Sequence, residues 1–247
     1  MGVKERRTKI LLSLFLLSDV DFKPVKVDVN VQRIFDYSPN QKTKTTIALL
    51  LKDGLIQDLS KDKEEIYALT DRGFDSLSLE FPFFRFLKNK WDAKWRIISY
   101  EIPESKRELR DRLRREMQGW GLGPWHRSFW LTPHPIISVL KDVVTGKVEE
   151  QYIQAFESDH AFGAREVLIE KVWGKSALDK QYRALFKKWH EILSKDGDKI
   201  DKLQKVVDEY VGMLRVDPGL PVELMGASWI GYEAMNIFKE IRGILLS

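Results

Sequence analysis

Residues 38 to 54 carry a helix whose ends and faces are all legible in the chain, and that helix limits what its neighbours can build. Ser38 can accept from the free amides of a first turn, Pro39 sits where a missing N–H costs nothing, and Gln41 completes a Ser-x-x-Gln box. Ile47, Leu50 and Leu51 form one apolar stripe, which Asp53-Gly54 terminates. The opposite face holds Asn40, Gln41, Lys42, Thr43, Lys44 and Thr45, with no acid among them. So short a helix is marginal alone, so the neighbouring segments must bury its stripe.

Those segments follow in a readable order. Residues 6 to 18 predict an apolar helix. Lys4, Arg6, Arg7 and Lys9 ahead of Ile10–Leu17 superficially resemble a signal peptide, but Asp19 and Asp21 follow and no small-residue cleavage site appears; a buried first helix is expected. Val25 to Val31 alternates with period two, whereas Val31, Ile34 and Phe35 share a helical spacing; a short helix near 29–36 is expected. Beyond Gly54, two short apolar runs flank Ser60-Lys61-Asp62-Lys63, which predicts a β-hairpin, and Thr70 caps a further helix with Gly73 in its first turn. Helix, helix, helix, hairpin, short helix is the order of a winged helix-turn-helix. Its scaffold leaves the third helix free to enter a DNA major groove. Lys42 and Lys44 would then neutralise phosphates, Asn40, Gln41 and Thr43 suit base edges with Thr45 beside them, and Lys61 and Lys63 would reach backbone or minor groove. A solvated helix face, or a winged helix kept for protein contacts, would use the same residues.

The middle of the chain changes character. Trp95 to Pro103 predicts a strand, and residues 104 to 120 a charged amphipathic helix with Leu109, Leu113, Met117 and Trp120 on its inner side. Its bases (Lys106, Arg107, Arg110, Arg112, Arg114, Arg115) are interleaved with Glu104, Glu108, Asp111 and Glu116, which favours a solvated face over a second nucleic-acid surface. The glycines of Gly119-Trp120-Gly121-Leu122-Gly123 follow a helix and precede a strand, the reverse of a dinucleotide fingerprint, so they predict a turn. A strand over 125–133, a helix over 134–145 and a strand over 151–156 complete a ferredoxin-like pattern. From 161 onward the chain is helical, with apolar stripes through Leu178, Tyr182, Leu185 and Trp189 and through Leu203, Val206, Tyr210 and Leu214, interrupted at Asp217-Pro218-Gly219-Leu220-Pro221. The expected fold class is α+β in three blocks: a winged helix-turn-helix over 1–88, a ferredoxin-like domain over 91–160 and a helical domain over 161–247.

Four motifs are similar to those of the PaaX family of bacterial transcriptional repressors: YEIPESKRELRDRLRREMQGWGLGPWHRSFWLTP from Tyr100, VWGKSALDKQYRALF from Val172, EYVGMLRVDPGLPVELMGASW from Glu209, and the ALTDRG that closes the hairpin. The resemblance spans nearly the whole chain, and the Asp-Pro, Leu-Pro, Glu-Leu, Trp series is its most specific part. It implies a homodimeric repressor of double-stranded DNA, released by a small-molecule effector that in the best-known members is an aryl-CoA thioester. For such an acyl-CoA or aryl-CoA ligand, Trp125, Phe129, Trp130, Trp173 and Tyr182 are the expected aromatic pocket, with Arg127 or Arg183 meeting a phosphate or carboxylate. The family's middle domain also resembles a small CRISPR-associated endonuclease that ends its first strand on a metal-binding Asp. Here that position is Glu101, one methylene longer, and no second acid is suggested nearby. A metal-dependent nuclease is therefore the alternative reading, and an adaptor that contacts only proteins is a third. Residues 19 to 30 depart from the family's usual linker.

Composition narrows the chemistry further. With 247 residues and no cysteine, disulfides, thiolate metal sites and thiol nucleophiles are excluded, which suits a reducing cytoplasm. The four histidines, at 126, 134, 160 and 190, have no metal-ligand spacing, and no Gly-x-Ser-x-Gly elbow or phosphate loop occurs, so no enzyme activity and no cofactor or metal is expected. No apolar run approaches the ~20 residues a membrane helix needs. A net charge of +4 leans weakly towards anionic partners.

Overall fold

The structure is a computed structural model that describes residues 5–62, 64–126 and 128–247. The fold is α+β, with two small antiparallel sheets among many helices. By compactness the chain forms two units. One comprises Met1–Ser78, Lys180–Val216 and Ile230–Ser247; the other comprises Leu79–Asp179 and Asp217–Trp229. The helical third block is thus shared between them.

In the first unit, α1 (Arg6–Ser18) is apolar on nearly every side and is correspondingly buried, Ile10, Leu11, Leu12 and Leu14 almost completely. Strand β1 (Val25–Lys26) precedes α2 (Val29–Ile34), so both periodicities in this stretch are real. Asp28 is where they switch, because its carboxylate accepts from the amides of Asn30 and Val31 and starts the helix. After α3 (Gln41–Lys52) come β2 (Ile56–Asp58) and β3 (Ile66–Leu69), then α4 (Asp71–Glu80). Both β1 and β2 pair antiparallel with β3, giving the order β1-β3-β2. Strand β1 therefore closes the far side of the hairpin.

The Thr70-to-Gly73 segment has a mechanical explanation. Thr70 Oγ1 accepts from the Gly73 amide (3.1 Å) and donates to the Gly54 carbonyl (2.7 Å), tying the start of α4 to the end of α3. A Cβ on Gly73 would stand 2.0 Å from the Leu55 carbonyl oxygen, so no larger residue fits there.

Three later helices belong partly or wholly to this unit: α9 (Lys175–Ser194, from Lys180 onward), α10 (Lys199–Val216) and α12 (Ile230–Leu246). They meet through Trp189, Tyr210 and Phe238, whose ring centroids lie 4.8 to 6.4 Å apart. Helix α10 also packs on α2, where Arg33 reaches Asp201 (2.5 Å) and Asp198 (3.4 Å). Arg242 of α12 donates to the carbonyl of Leu16 and the carboxylate of Asp19 beyond α1.

The second unit is built on β4 (Trp95–Tyr100), α6 (Arg107–Gly119), β5 (Gly123–His126), β6 (Phe129–Thr132), α7 (Ile137–Val144) and β7 (Ile153–Ser158), preceded by the short α5 (Arg85–Lys88). The sheet order β5-β6-β4-β7 with all pairs antiparallel is that of a ferredoxin-like βαββαβ unit. The single strand expected over 125–133 is corrected to two, β5 and β6, because the chain reverses between His126 and Phe129. Ile98, Tyr100, Trp130 and Ile153 cover one sheet face, and Leu113 and Met117 of α6 and Leu140 of α7 pack on it. Helix α8 (Arg165–Trp173) lies close to β5: a Cβ on Gly123 would stand 2.2 Å from Val172.

The Asp217–Pro221 break docks in this same unit, ahead of the short α11 (Val222–Met225). His134 is fully buried, and its Nε2 donates to the Pro218 carbonyl at 2.7 Å. Burial, with Arg85 and Arg96 nearby, holds its pKa well below the ordinary histidine value, so the ring is neutral.

Candidate nucleic-acid interface

Helix α3 begins two residues later than the Ser-x-x-Gln pattern implies. Ser38 is not the cap, because the helical turn starts only at Gln41. The cap is Asn40, in extended conformation, whose side-chain oxygen accepts from the Thr43 amide at 3.1 Å. Ser38 contributes its carbonyl instead, accepting from the Asn40 amide (2.9 Å) and the Thr43 hydroxyl (2.5 Å).

This register changes the roles of the expected readers. Thr43 is 3% exposed and its hydroxyl is occupied, which corrects its assignment to a base edge. The oxygen of Asn40 is committed to the cap, although the residue is exposed. Gln41, Lys42, Lys44 and Thr45 all face solvent. Ala48, Leu49 and Lys52 join them, and these three were missed. Their signal was the spacing of positions 41, 45, 48 and 52, which forms one helical ridge opposite Ile47 and Leu50. Lys42, Lys44 and Lys52 form no ion pair among the described residues, and no acid lies between Gln41 and Lys52.

On the hairpin, Lys61 is exposed, and its carbonyl accepts from the Glu64 amide at 3.0 Å across a turn in which Asp62 has a φ of +57°. Lys63 lies outside the described residues. Glu64 receives the Lys26 ammonium at 2.5 Å, which pins the turn to β1 and raises the Lys26 pKa.

The expected effector residues of the second unit do not share one face of its sheet. In the second unit a cavity of about 540 Å³ opens over the sheet face opposite α6 and α7. Trp95, Ile97, Trp125 and Leu131 line its floor, and the segment from Ser158 to Lys171 lines the rest. Of the expected residues that are described, only Trp125 lines it. Trp173 stacks on Trp95 at 6.0 Å and donates its indole N–H to Gly121. Phe129 is partly exposed, and its strand neighbour Trp130 is 1% exposed within the core under α6 and α7, which corrects its place in a pocket. Arg127 lies outside the described residues. Tyr182, fully buried, and Arg183 belong to the other compact unit. Glu101 is exposed, its amide bonded to the Tyr152 carbonyl, and no group of three or more His, Asp or Glu among the described residues is placed to hold a metal.

Comparison with known families bears on this geometry. The model of the PaaX protein central Cas2-like domain matches residues 88–167, and that of the PaaX-like protein C-terminal domain matches residues 173–247. The chain belongs to the PaaX family. Within this PaaX-family chain the candidate interface on α3 lies ahead of both matched segments, whereas the apolar cavity falls almost wholly in the central one. Among solved structures, the uncharacterized protein Rv0674 from Mycobacterium tuberculosis is similar in fold, with a TM-score of 0.52 and 15% identity over 96% of this chain and 94% of that one. No curated protein sequence matches the chain. No helix among the described residues is long and apolar enough to cross a membrane.

Proposed function

We propose that this PaaX-family protein is a sequence-specific DNA-binding transcriptional regulator, acting as a cytoplasmic homodimeric repressor with α3 in the major groove. The observation that carries this reading is the outward face of α3, which presents Lys42, Lys44 and Lys52 with no acid between Gln41 and Lys52 and no ion pair among the described residues. Such lysines can neutralise phosphates without first giving up a partner. Strand β1 supports reading residues 1–88 as a winged helix. It completes a helix-strand-helix-helix-strand-strand order, with α3 outside a three-stranded sheet and Lys61 at the hairpin tip as the wing contact. Both matched domains are those of a family of transcriptional regulators, which fits regulation rather than catalysis.

Selection from random duplexes with the full-length protein tests the proposal. An enriched sequence should be bound with an affinity that falls steeply between about 50 and 200 mM salt. Enrichment of no sequence would remove the proposal.

An effector is a second reading, favoured by the cavity over Trp95 and Trp125 in the 91–160 platform. Its floor is apolar and half aromatic, and Lys171 and His160 line it beside the single acid Asp159, a setting for an acyl or aryl group joined to an anionic carrier. The acyl-CoA or aryl-CoA would act by binding one arrangement of the repressor more tightly than the other. Thermal-shift titration with phenylacetyl-CoA and other acyl-CoAs tests this reading, and no stabilisation by any of them would remove the thioester.

A further inference from the structure

The exposed face of α3 is not uniformly polar, and its apolar part has a defined shape. Thr45 Oγ1 donates to the Gln41 carbonyl at 2.9 Å and Thr46 Oγ1 to the Lys42 carbonyl at 2.8 Å, so both hydroxyls are occupied by the helix's own backbone. Thr45 thereby has no hydroxyl proton left to donate, and offers its methyl group together with an oxygen that can only accept. Ala48 adds a second methyl on the same ridge, and Leu49 beside it is 53% exposed. The result is a narrow apolar strip bordered by Lys42, Lys44 and Lys52, with Gln41 at its amino end.

The border identifies the occupant. Three lysines with no acid along the helix match two lines of phosphates, and between such lines a DNA major groove offers one apolar group, the C5-methyl of thymine. The helix also has no arginine, the side chain whose fork pairs best with guanine, while Gln41 is of the type that pairs bidentately with adenine. Resting on the reading of α3 as the DNA-contacting helix, we infer that it recognises an A·T-rich half-site chiefly through thymine methyl groups, with Thr45, Ala48 and Leu49 as the methyl contacts and Gln41 as the adenine contact. Thr43 and the oxygen of Asn40 take no part, because the helix start occupies them.

Deoxyuridine, which lacks only the methyl, is the direct probe. Duplexes enriched by the full-length protein are resynthesised with thymines replaced one at a time, and binding is titrated at fixed salt. Each contacted methyl should be worth about fourfold in affinity, the value of one buried methyl group. Leu49→Ala and Thr45→Ser, both at exposed positions, should each bring the thymine-to-uracil ratio towards one at a single position of the half-site. A duplex bound equally well with every thymine replaced overturns the methyl reading and leaves the regulator proposal standing. Ratios unchanged at every position in both variants also overturn it. If the protein enriches no sequence, the regulator proposal fails and takes this inference with it.

Discussion

Two helices of this chain look alike by charge and behave as opposites. Helix α6 has the larger basic count, five arginines, yet Arg107 meets Asp111 at 3.6 Å, Arg110 meets Glu104 at 2.7 Å, and Arg112 is paired with the buried carboxylate of Glu149. Helix α3 has three lysines and no such partner among the described residues. A base that leaves one anion for another gains little, whereas an unpaired one gains the full release of counterions from DNA. For a polyanion, the relevant quantity is therefore uncommitted charge rather than total charge.

The largest expected effect tests that contrast directly. Lys42→Ala with Lys44→Ala should weaken binding to the selected duplex by an order of magnitude or more and lower the salt slope by about two, roughly one for each lost phosphate contact. Arg107→Ala with Arg110→Ala on α6 removes the same formal charge from bases already paired with Asp111 and Glu104, and should leave both quantities within error. Equal losses for the two pairs, measured by fluorescence anisotropy over a salt series, would erase the distinction.

A second effect runs the other way, in stability. Arg112→Ala strips the partner from Glu149, which is only 6% exposed, and should destabilise the protein by about 1–3 kcal/mol, less than for a fully buried pair because Arg112 itself is half exposed. Lys42→Ala should stay within about 0.5 kcal/mol of the parent. Adding Glu149→Gln to Arg112→Ala should recover part of the loss in urea unfolding. No recovery would show that the pair is not what holds α6 against the loop at Glu149.

The difference between these helices was only half legible in the chain. The favourable spacing Asp111–Arg115 on α6 could be read as a pair, but the structure pairs Asp111 with Arg107, and Glu149 is thirty-seven residues from Arg112, beyond any local rule. The helix order of the first 88 residues and the Thr70–Gly73 clasp were legible because caps and close glycines leave local marks. Strand β1 was only half legible, since the alternation from Val25 pointed to a strand but its two-residue extent is set by its partner β3. The reversal between β5 and β6 was missed because Phe129-Trp130-Leu131 continues the apolar character of Trp125. On α3 the ridge was legible in spacing, while the loss of Thr43 to the interior depended on which residue caps.

That cap supplies the third and smaller test. Helix α3 starts on the Asn40 side chain, whereas α6 starts from a 3-10 turn over Glu104–Lys106 with no side-chain cap. Asn40→Ala should therefore cost about 1 kcal/mol. Ser38→Ala should cost little, because Ser38 acts through its carbonyl. The reverse order in thermal melts would restore Ser38 as the cap and return Thr43 to the list of base readers.

The smallest effect comes from acid. Arg110 bonded to Glu104 holds that carboxyl below its usual pKa of 4.5, so the folded state binds the proton less readily than the unfolded chain. A carboxyl lowered in this way contributes stability that is present above the unfolded pKa and lost as pH falls through the folded value. The pair is exposed, so the loss is slight, and Glu104→Gln should flatten the acid limb of the stability curve below about pH 4.5 only marginally. The same titration should leave DNA affinity untouched down to that pH, since Lys42 and Lys44 have no acid within the helix whose protonation could change their charge balance. An affinity that instead follows the Glu104 transition would mean that α6 and α3 share one electrostatic surface, and the separation drawn between them would fail.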